Sequence, residues 1–490
     1  PENAVSLPCK MFPHRAHFLG CAGKSGDAPL RANILSALGN LAYGAKRFED
    51  ARRHYVDALQ LARTEDSFVL RTILVLAIVA CDSKTGAESP GSAVPDLIKR
   101  CTAIAGECRQ NGFSRGEALA NFISGRLSEM ADDPAAAMPS YRSAAGLHEQ
   151  SPLQPETRDL DFMETYLRGE EAGWYDPLIR LSCGSGQVDS AFSDIERRNL
   201  LDLAGFFSRI SLKTADRNLN RKISQVQWNL SALRLLQGDL LHELGAATRQ
   251  HSGHLASLNG AVPRREAELK RSVSELAAIN SNFPWLLDPA RLQLAAIRDT
   301  LAPNTALVEY APAGDTLYSI VIGNHRAVLR VVPVNQPYLL GLIGEYNRLA
   351  GGNRLSSNGT WITEPATQSR LNTLSSVLGK FLLSPIMQDL GGVEKLYVTL
   401  PEEFGWLPLH TLRLEDRPLA GRMNVSYLPT AAVLLFSSDR ERPVRRVIGV
   451  GHPGRTSWDV EYELKDIRGF YENARMLFDT LATLRHMMDS

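Results

Sequence analysis

The sequence has 490 residues, about three domains' worth at roughly 150 residues each, so one small domain is excluded. Its 54 Lys plus Arg balance 54 Asp plus Glu, with 44% hydrophobic and 22% charged residues. That composition is globular and has no basic excess with which to hold nucleic acid.

The chain opens Pro1-Glu2-Asn3, with no initiator Met and no charged-then-apolar pattern, and is read as a trimmed start or a fragment without a signal peptide. The longest apolar run, Thr72 to Cys81, is about half of what a bilayer span needs, so no membrane partner is expected. Six cysteines (Cys9, Cys21, Cys81, Cys101, Cys108 and Cys183) form no C-x-x-C pair, and so long a chain needs no disulfide staples. A reducing cytoplasm is the expected location.

Within the first 210 residues a pattern repeats. Gly39, Ala51, Tyr55 and Ala58 recur as Gly125, Ala137, Tyr141 and Ala144, each displaced by 86 residues. In a helix-turn-helix unit, a Gly on one helix and an Ala on the next let the backbones approach while a Tyr fills the space between stacked units. The pattern, over Ala32 to Glu65 and Ala118 to Ser151, resembles the tetratricopeptide repeat. A degenerate copy with a long loop at Lys84 to Ser92 is expected between them. Ala172 to Gly205 holds another in which Ile179 stands where the Gly would be. The resemblance implies a helical solenoid that takes a protein or peptide partner on its concave face. From Asn218 to Phe283 the apolar spacing stays helical, interrupted at Gly253, Asn259-Gly260 and Pro263. Residues 211–285 are therefore read as a long helical hairpin acting as a strut, with a partner-binding coiled coil as the alternative.

Beyond Pro284 the pattern changes, and residues 286–490 are read as a layered α/β domain with a largely parallel sheet. Strands are expected at Ala306–Tyr310, Leu317–Ile322, Ala327–Val332, Lys395–Leu400 and Arg446–Val450. Helices are expected at Tyr338–Leu349, Leu371–Leu390 and Glu461–Phe478. A sheet cut after an early strand would expose an edge and a face, which predicts aggregation.

Several blocks in order carry a family resemblance: Leu301-Ala-Pro-Asn-Thr-Ala-Leu-Val-Glu-Tyr310, Leu317-Tyr-Ser-Ile-Val321, Leu383-Ser-Pro-Ile386, Val398-Thr-Leu-Pro401 with Trp406-Leu-Pro-Leu-His-Thr-Leu412, Val425-Ser-Tyr-Leu-Pro-Thr430 and Val447-Ile-Gly-Val-Gly-His-Pro453. Together they resemble the first half of a CHAT domain, a caspase- and separase-like cysteine peptidase domain that commonly follows tetratricopeptide repeats. Ala191-Phe192 with Glu196-Arg-Arg-Asn-Leu-Leu-Asp-Leu203 is similar to the segment joining the two in such proteins. The resemblance implies a caspase-like three-layer α/β fold and a partner-regulated cysteine peptidase. The family's catalytic His sits in a His-Gly segment and its Cys in a Ser-Ala-Cys-like segment, and neither occurs here. No cysteine follows Cys183. The chain is therefore expected to stop short of the catalytic His and Cys and to be inactive alone, with no catalytic, cofactor-binding or metal residues. The alternative is a non-catalytic adaptor with a degenerate CHAT domain.

Other motifs carry no site. Gly449-Val-Gly-His-Pro-Gly454 matches G-x-G-x-x-G, but Pro453 and the following Arg455 to Trp458 delay the helix that a phosphate needs, so no cofactor is expected. His251 and His254, like His14 and His17, lack further ligands and read as solvated loops. His410 reads as a packed or hydrogen-bonded histidine. Asp439 to Arg446 offsets four arginines with two acids and reads as a solvated loop.

Overall fold

The structure, a computed structural model, describes residues 28–62, 68–85, 90–150, 173–207, 217–246, 252–279, 292–351, 354–355, 361–362, 365–415, 417–437, 447–451 and 474–478. The chain divides into two compact units, Pro1–Phe436 and Ser437–Ser490.

The first part of the larger unit is helical: Ala28–Gly44 (α1), Phe48–Ala62 (α2), Phe68–Thr85 (α3), Pro90–Gln110 (α4), Ser114–Met130 (α5), Pro134–Gln150 (α6), Asp176–Gly184 (α7) and Val188–Phe207 (α8). Left-handed residues close the short turns between successive helices, at Lys46, Gly112, Asp132 and Gly186. The repeated residues have a direct packing role. A Cβ on Gly39 would lie 2.3 Å from a Tyr55 ring carbon, and one on Gly125 would lie 2.7 Å from Tyr141. Each Gly thus opens the groove that its Tyr fills, and Ala51, Ala58, Ala137 and Ala144 are fully buried beside them. In α7 and α8 the Gly and Tyr positions are taken by Ile179 and Ile195, both fully buried, so aliphatic volume fills the same space. The expected loop at Lys84 to Ser92 is shorter than the sequence suggests. Helix α3 continues to Thr85, α4 begins at Pro90, and 86–89 lie outside the described residues.

Arg217–Ala246 (α9) and Ser252–Ile279 (α10) form the long hairpin. Gly253, Asn259-Gly260 and Pro263 do not interrupt it. Pro263 lacks the N–H that would bond the Asn259 carbonyl, and one residue on, the Arg264 Nε donates to the Gly260 carbonyl at 2.9 Å. One end of the hairpin has its own small core of Leu219, Ile223, Val226 and Leu276, with Asn229 Nδ2 donating to Ser272 Oγ at 2.7 Å. The other end is no free strut: Leu240 and Leu258 enter the core of α1–α8. A Cβ on Gly112 would lie 2.6 Å from Asn259 and 3.1 Å from Leu240.

A short helix, Leu294–Thr300 (α11), leads into Thr305–Pro312 (β1), Thr316–Gly323 (β2) and Ala327–Pro333 (β3). Then follow Gln336–Gly351 (α12), a small hairpin of Arg354–Leu355 (β4) and Trp361–Ile362 (β5), and Pro365–Leu382 (α13). Lys395–Thr399 (β6), a second small hairpin of Arg413–Leu414 (β7) and Arg417–Pro418 (β8), Asn424–Leu428 (β9) and Val433–Ser437 (α14) complete the unit. The main sheet has the order β3-β2-β1-β6-β9. It is mixed, not largely parallel: β1, β2 and β3 pair antiparallel, while β1, β6 and β9 pair parallel. The three residues between β1 and β2, with Gly314 at positive φ, are too few for a crossover and force a hairpin. The parallel pairing of β1 with β6 instead spans α12 and α13.

Both faces of the sheet's central strand are covered, contrary to the expected open face, while β3 and β9 at the edges stay half-buried to exposed. Ala306, Val308 and Tyr310 of β1 pack with Leu339 and Ile343 of α12 and Leu374 and Leu378 of α13. Leu307 and Ala311, on the opposite face, share a core with Ile195 of α8 and Ile297 of α11. The helical segment therefore supplies the second layer.

In the smaller unit, Val447–Gly451 (β10) and Ala474–Phe478 (β11) pair parallel, Val447 opposite Ala474. The helix expected over Glu461–Phe478 is wrong for its last five residues, where backbone pairing with β10 outweighs the helical period. Asp439 to Arg446, and Gly454 with the residues from His452 that precede it, lie outside the described residues; Gly449–Gly451 is strand. No described helix is long and apolar enough to cross a membrane.

Candidate functional site

Three consecutive side chains of α8 anchor it to three elements. Arg197 Nε donates to Glu149 Oε1 of α6 at 2.6 Å, where Tyr175 Oη donates to the same oxygen. Arg198 pairs with Asp176 of α7 at 3.6 Å. Glu196 faces the other way and reaches the end of the sheet. It accepts from Thr430 Oγ1 at 2.6 Å and from the backbone N–H groups of Ala431 and Ala432 at 3.0 and 3.2 Å. These N–H groups precede α14, so the carboxylate caps that helix although it lies 234 residues away in sequence.

Next to Glu196, and fully buried with it, is Glu309 of β1. Thr399 of β6 lies opposite Glu309 in the parallel register, and its hydroxyl has no hydrogen-bond partner among the described residues. As a carboxylate Glu309 would meet no donor. Burial, then the adjacent Glu196 carboxylate, push it well above the usual carboxylate range, with Arg198 opposing. The site therefore favours the protonated form of Glu309, in which its hydroxyl has the adjacent Glu196 as acceptor. Two buried carboxyl groups thus meet where the helical segment reaches the sheet, Glu309 midway along β1 and beside Thr399 at the end of β6. This arrangement fixes position.

His410 lies near the other side of the sheet end. Its backbone N–H donates to Tyr427 Oη at 3.0 Å, and its Nδ1 is 2.9 Å from the same oxygen. With that oxygen already accepting, the hydroxyl donates to Nδ1. Partial burial lowers the His410 pKa, so the ring is a neutral acceptor locked by Tyr427 rather than a base beside a nucleophile. Trp406, in the same block, projects into solvent at 96% exposure.

The cysteines Cys81, Cys101, Cys108 and Cys183 are free and buried. Burial pushes each thiol up to about 12, so none is a thiolate at neutral pH. Cys9, Cys21, His14, His17 and His251 lie outside the described residues, while His254 falls in the first turn of α10. Among the described residues no group of three or more His, Cys, Asp or Glu side chains is placed to hold a metal. An open cavity of about 520 Å³ lies between the start of α8, α11 and β3. It sets Arg298 against Asp189, and those opposed charges select no ligand class.

The signal for Glu309 was a single charge inside the otherwise apolar Ala-Leu-Val-Glu-Tyr-Ala strand. Thr399 and Thr430 carry no comparable signal. No protein-family model matches the chain, and no curated protein matches it in sequence.

Proposed function

We propose that this chain is the recognition and coupling part of a protein of the tetratricopeptide–CHAT type. In this reading α1–α8 form a tetratricopeptide-like solenoid that takes a protein or peptide partner, and the sheet is the non-catalytic first part of a CHAT domain. A completed protein would be a partner-regulated cysteine endopeptidase, its thiolate attacking the peptide carbonyl and a His carrying the proton. The observation that supports coupling is Glu196, whose carboxyl group ties α8 to the end of the sheet by three buried hydrogen bonds. A shift of α8 on partner binding would pull on the backbone following β9. The second reading, a non-catalytic adaptor in a reducing cytoplasm, is favoured by four thiols held protonated.

The native chain, treated with a thiol-reactive peptide probe and with unstructured protein substrates, is expected to cleave nothing. Cys81, Cys101, Cys108 and Cys183 should label only on unfolding. Stoichiometric labelling of one of them in the folded chain, accompanied by cleavage, would overturn both readings. Reading the gene beyond the codon for Ser490 separates the two: a His-Gly segment followed by a Ser-Ala-Cys segment supports the peptidase, and an immediate stop supports the adaptor.

A further inference from the structure

Helix α9 turns one stripe inward, Leu219, Ile223, Val226, Leu233 and Leu240, all nearly inaccessible. The opposite stripe is Arg221, Ser224, Trp228, Ser231, Leu235 and Asp239, all exposed. Its steps of three and four residues are those of a coiled-coil seam, and along it two large apolar side chains alternate with two small ones. Trp228 is 62% exposed and Leu235 71%, two turns apart on the same face. The charges are also ordered, with Arg221 at the N-terminal end and Asp239 at the C-terminal end. Among the described residues neither forms an ion pair. The sequence continues the same polarity outward, with Arg217 at one end and Glu243 at the other.

We propose that this face of α9 pairs antiparallel with the same face of a second copy of the chain. Reversing one helix about a two-fold axis sets Trp228 over the partner's Ser231 and Leu235 over the partner's Ser224. That register brings Arg221 within one residue, about 1.5 Å along the axis, of the partner's Asp239, and the symmetry repeats each contact. A parallel pairing would instead set Trp228 against Trp228 and Arg221 against Arg221, large on large and like on like. The Arg265 guanidinium lies 4.9 Å over the Trp228 ring and orients it for insertion. From Arg221 to Asp239 the seam is roughly 27 Å long at about 1.5 Å per residue. Such a contact belongs to the small end of specific interfaces, so a dissociation constant on the order of 10 µM is expected.

Sedimentation velocity of the full chain over a micromolar concentration series tests this. A monomer–dimer equilibrium is expected, weakened roughly tenfold or more by Trp228→Ser. Arg221→Asp and Asp239→Arg should each weaken it, and the double variant should recover it, because the swapped charges again oppose each other. All these positions are exposed, so thermal melts should match the parent. A monomer at every concentration overturns the proposal. So does a dimer indifferent to Trp228→Ser, or a double charge swap that recovers nothing.

Discussion

The two faces of the five-stranded sheet are built differently. On one, Ala306, Val308, Tyr310, Leu396 and Val398 meet α12 and α13, helices that lie between β1 and β6 in the chain. That face is mostly apolar, and its polar side chains pair with groups between β1 and β6 in the chain: the Tyr310 hydroxyl donates to the Leu382 carbonyl at 2.7 Å, and Arg330 of β3, in register with Ser319, donates to Asp389 at 2.7 Å. The other face meets α8 and α11, with α8 more than 100 residues upstream of β1, and it carries Glu309, Thr399 and the incoming Glu196. Hydrophobic burial is non-directional and suffices where the crossover itself delivers the helix. A helix arriving from far away has no such tether. Buried hydrogen bonds, costly when unmade, specify where it docks.

The difference is broken most directly at Glu196. Glu196→Ala leaves the Thr430 hydroxyl and the Ala431 N–H buried without an acceptor, while the Ala432 N–H keeps Thr430 Oγ1 at 3.1 Å, and a loss of about 2–4 kcal/mol is expected in urea unfolding. Hydrogen exchange should quicken at Ala431 and Ala432 and along α8 while α12 and α13 keep their protection. The mirror experiment is Leu378→Ala, a cavity on the locally covered face, expected to cost about 3 kcal/mol and to loosen α12 and α13 instead. Equal loosening of both faces by either variant would mean that the sheet has no such division.

Two finer predictions use the tight grooves and the buried proton. Gly39→Ala and Gly125→Ala each force a Tyr ring to move and should cost about 1–3 kcal/mol, more at Gly39 where the approach is closer. Tyr55→Leu should relieve the first and Tyr141→Leu the second. Acid and base should act on different regions. Glu309 binds its proton more tightly folded than unfolded, so its contribution is full below the ordinary carboxylate pKa and is lost as pH rises towards its raised value. Glu309→Gln should remove that fall. His148 of α6 is half-buried and stacked on Trp174, and this burial, with Arg115 nearby, lowers it to about 4. It binds its proton more weakly folded, so its contribution is full above its unfolded pKa of 6.5 and is lost as pH falls towards about 4. Amide exchange in α6 should rise over that window and stay flat in His148→Gln.

Short-range pattern was enough for much of this architecture. The spacing of Gly39, Ala51, Tyr55 and Ala58 encodes a contact between adjacent helices, and β-branched runs mark β1, β2, β3 and β6, because both signals depend on neighbours within a few turns or residues. Pairing direction was less legible. The three-residue link from β1 to β2 makes a hairpin, yet the alternation of strands and helices further on suggests a parallel sheet throughout. Gly379 shows a constraint invisible in one sequence: a Cβ there would lie 2.1 Å from the Arg413 carbonyl oxygen of β7.

By itself the sequence determined the helical and α/β halves, the strands β1, β2, β3 and β6, and the absence of any cysteine beyond Cys183, since each is a property of residues in a row. Only the tertiary structure decided that α8 forms the sheet's second layer, that Glu196 caps α14, and that Glu309 is pushed towards its protonated form. Those outcomes depend on which groups lose water together. Desolvation is set by segments more than 100 residues apart in the chain and in contact only once it has folded.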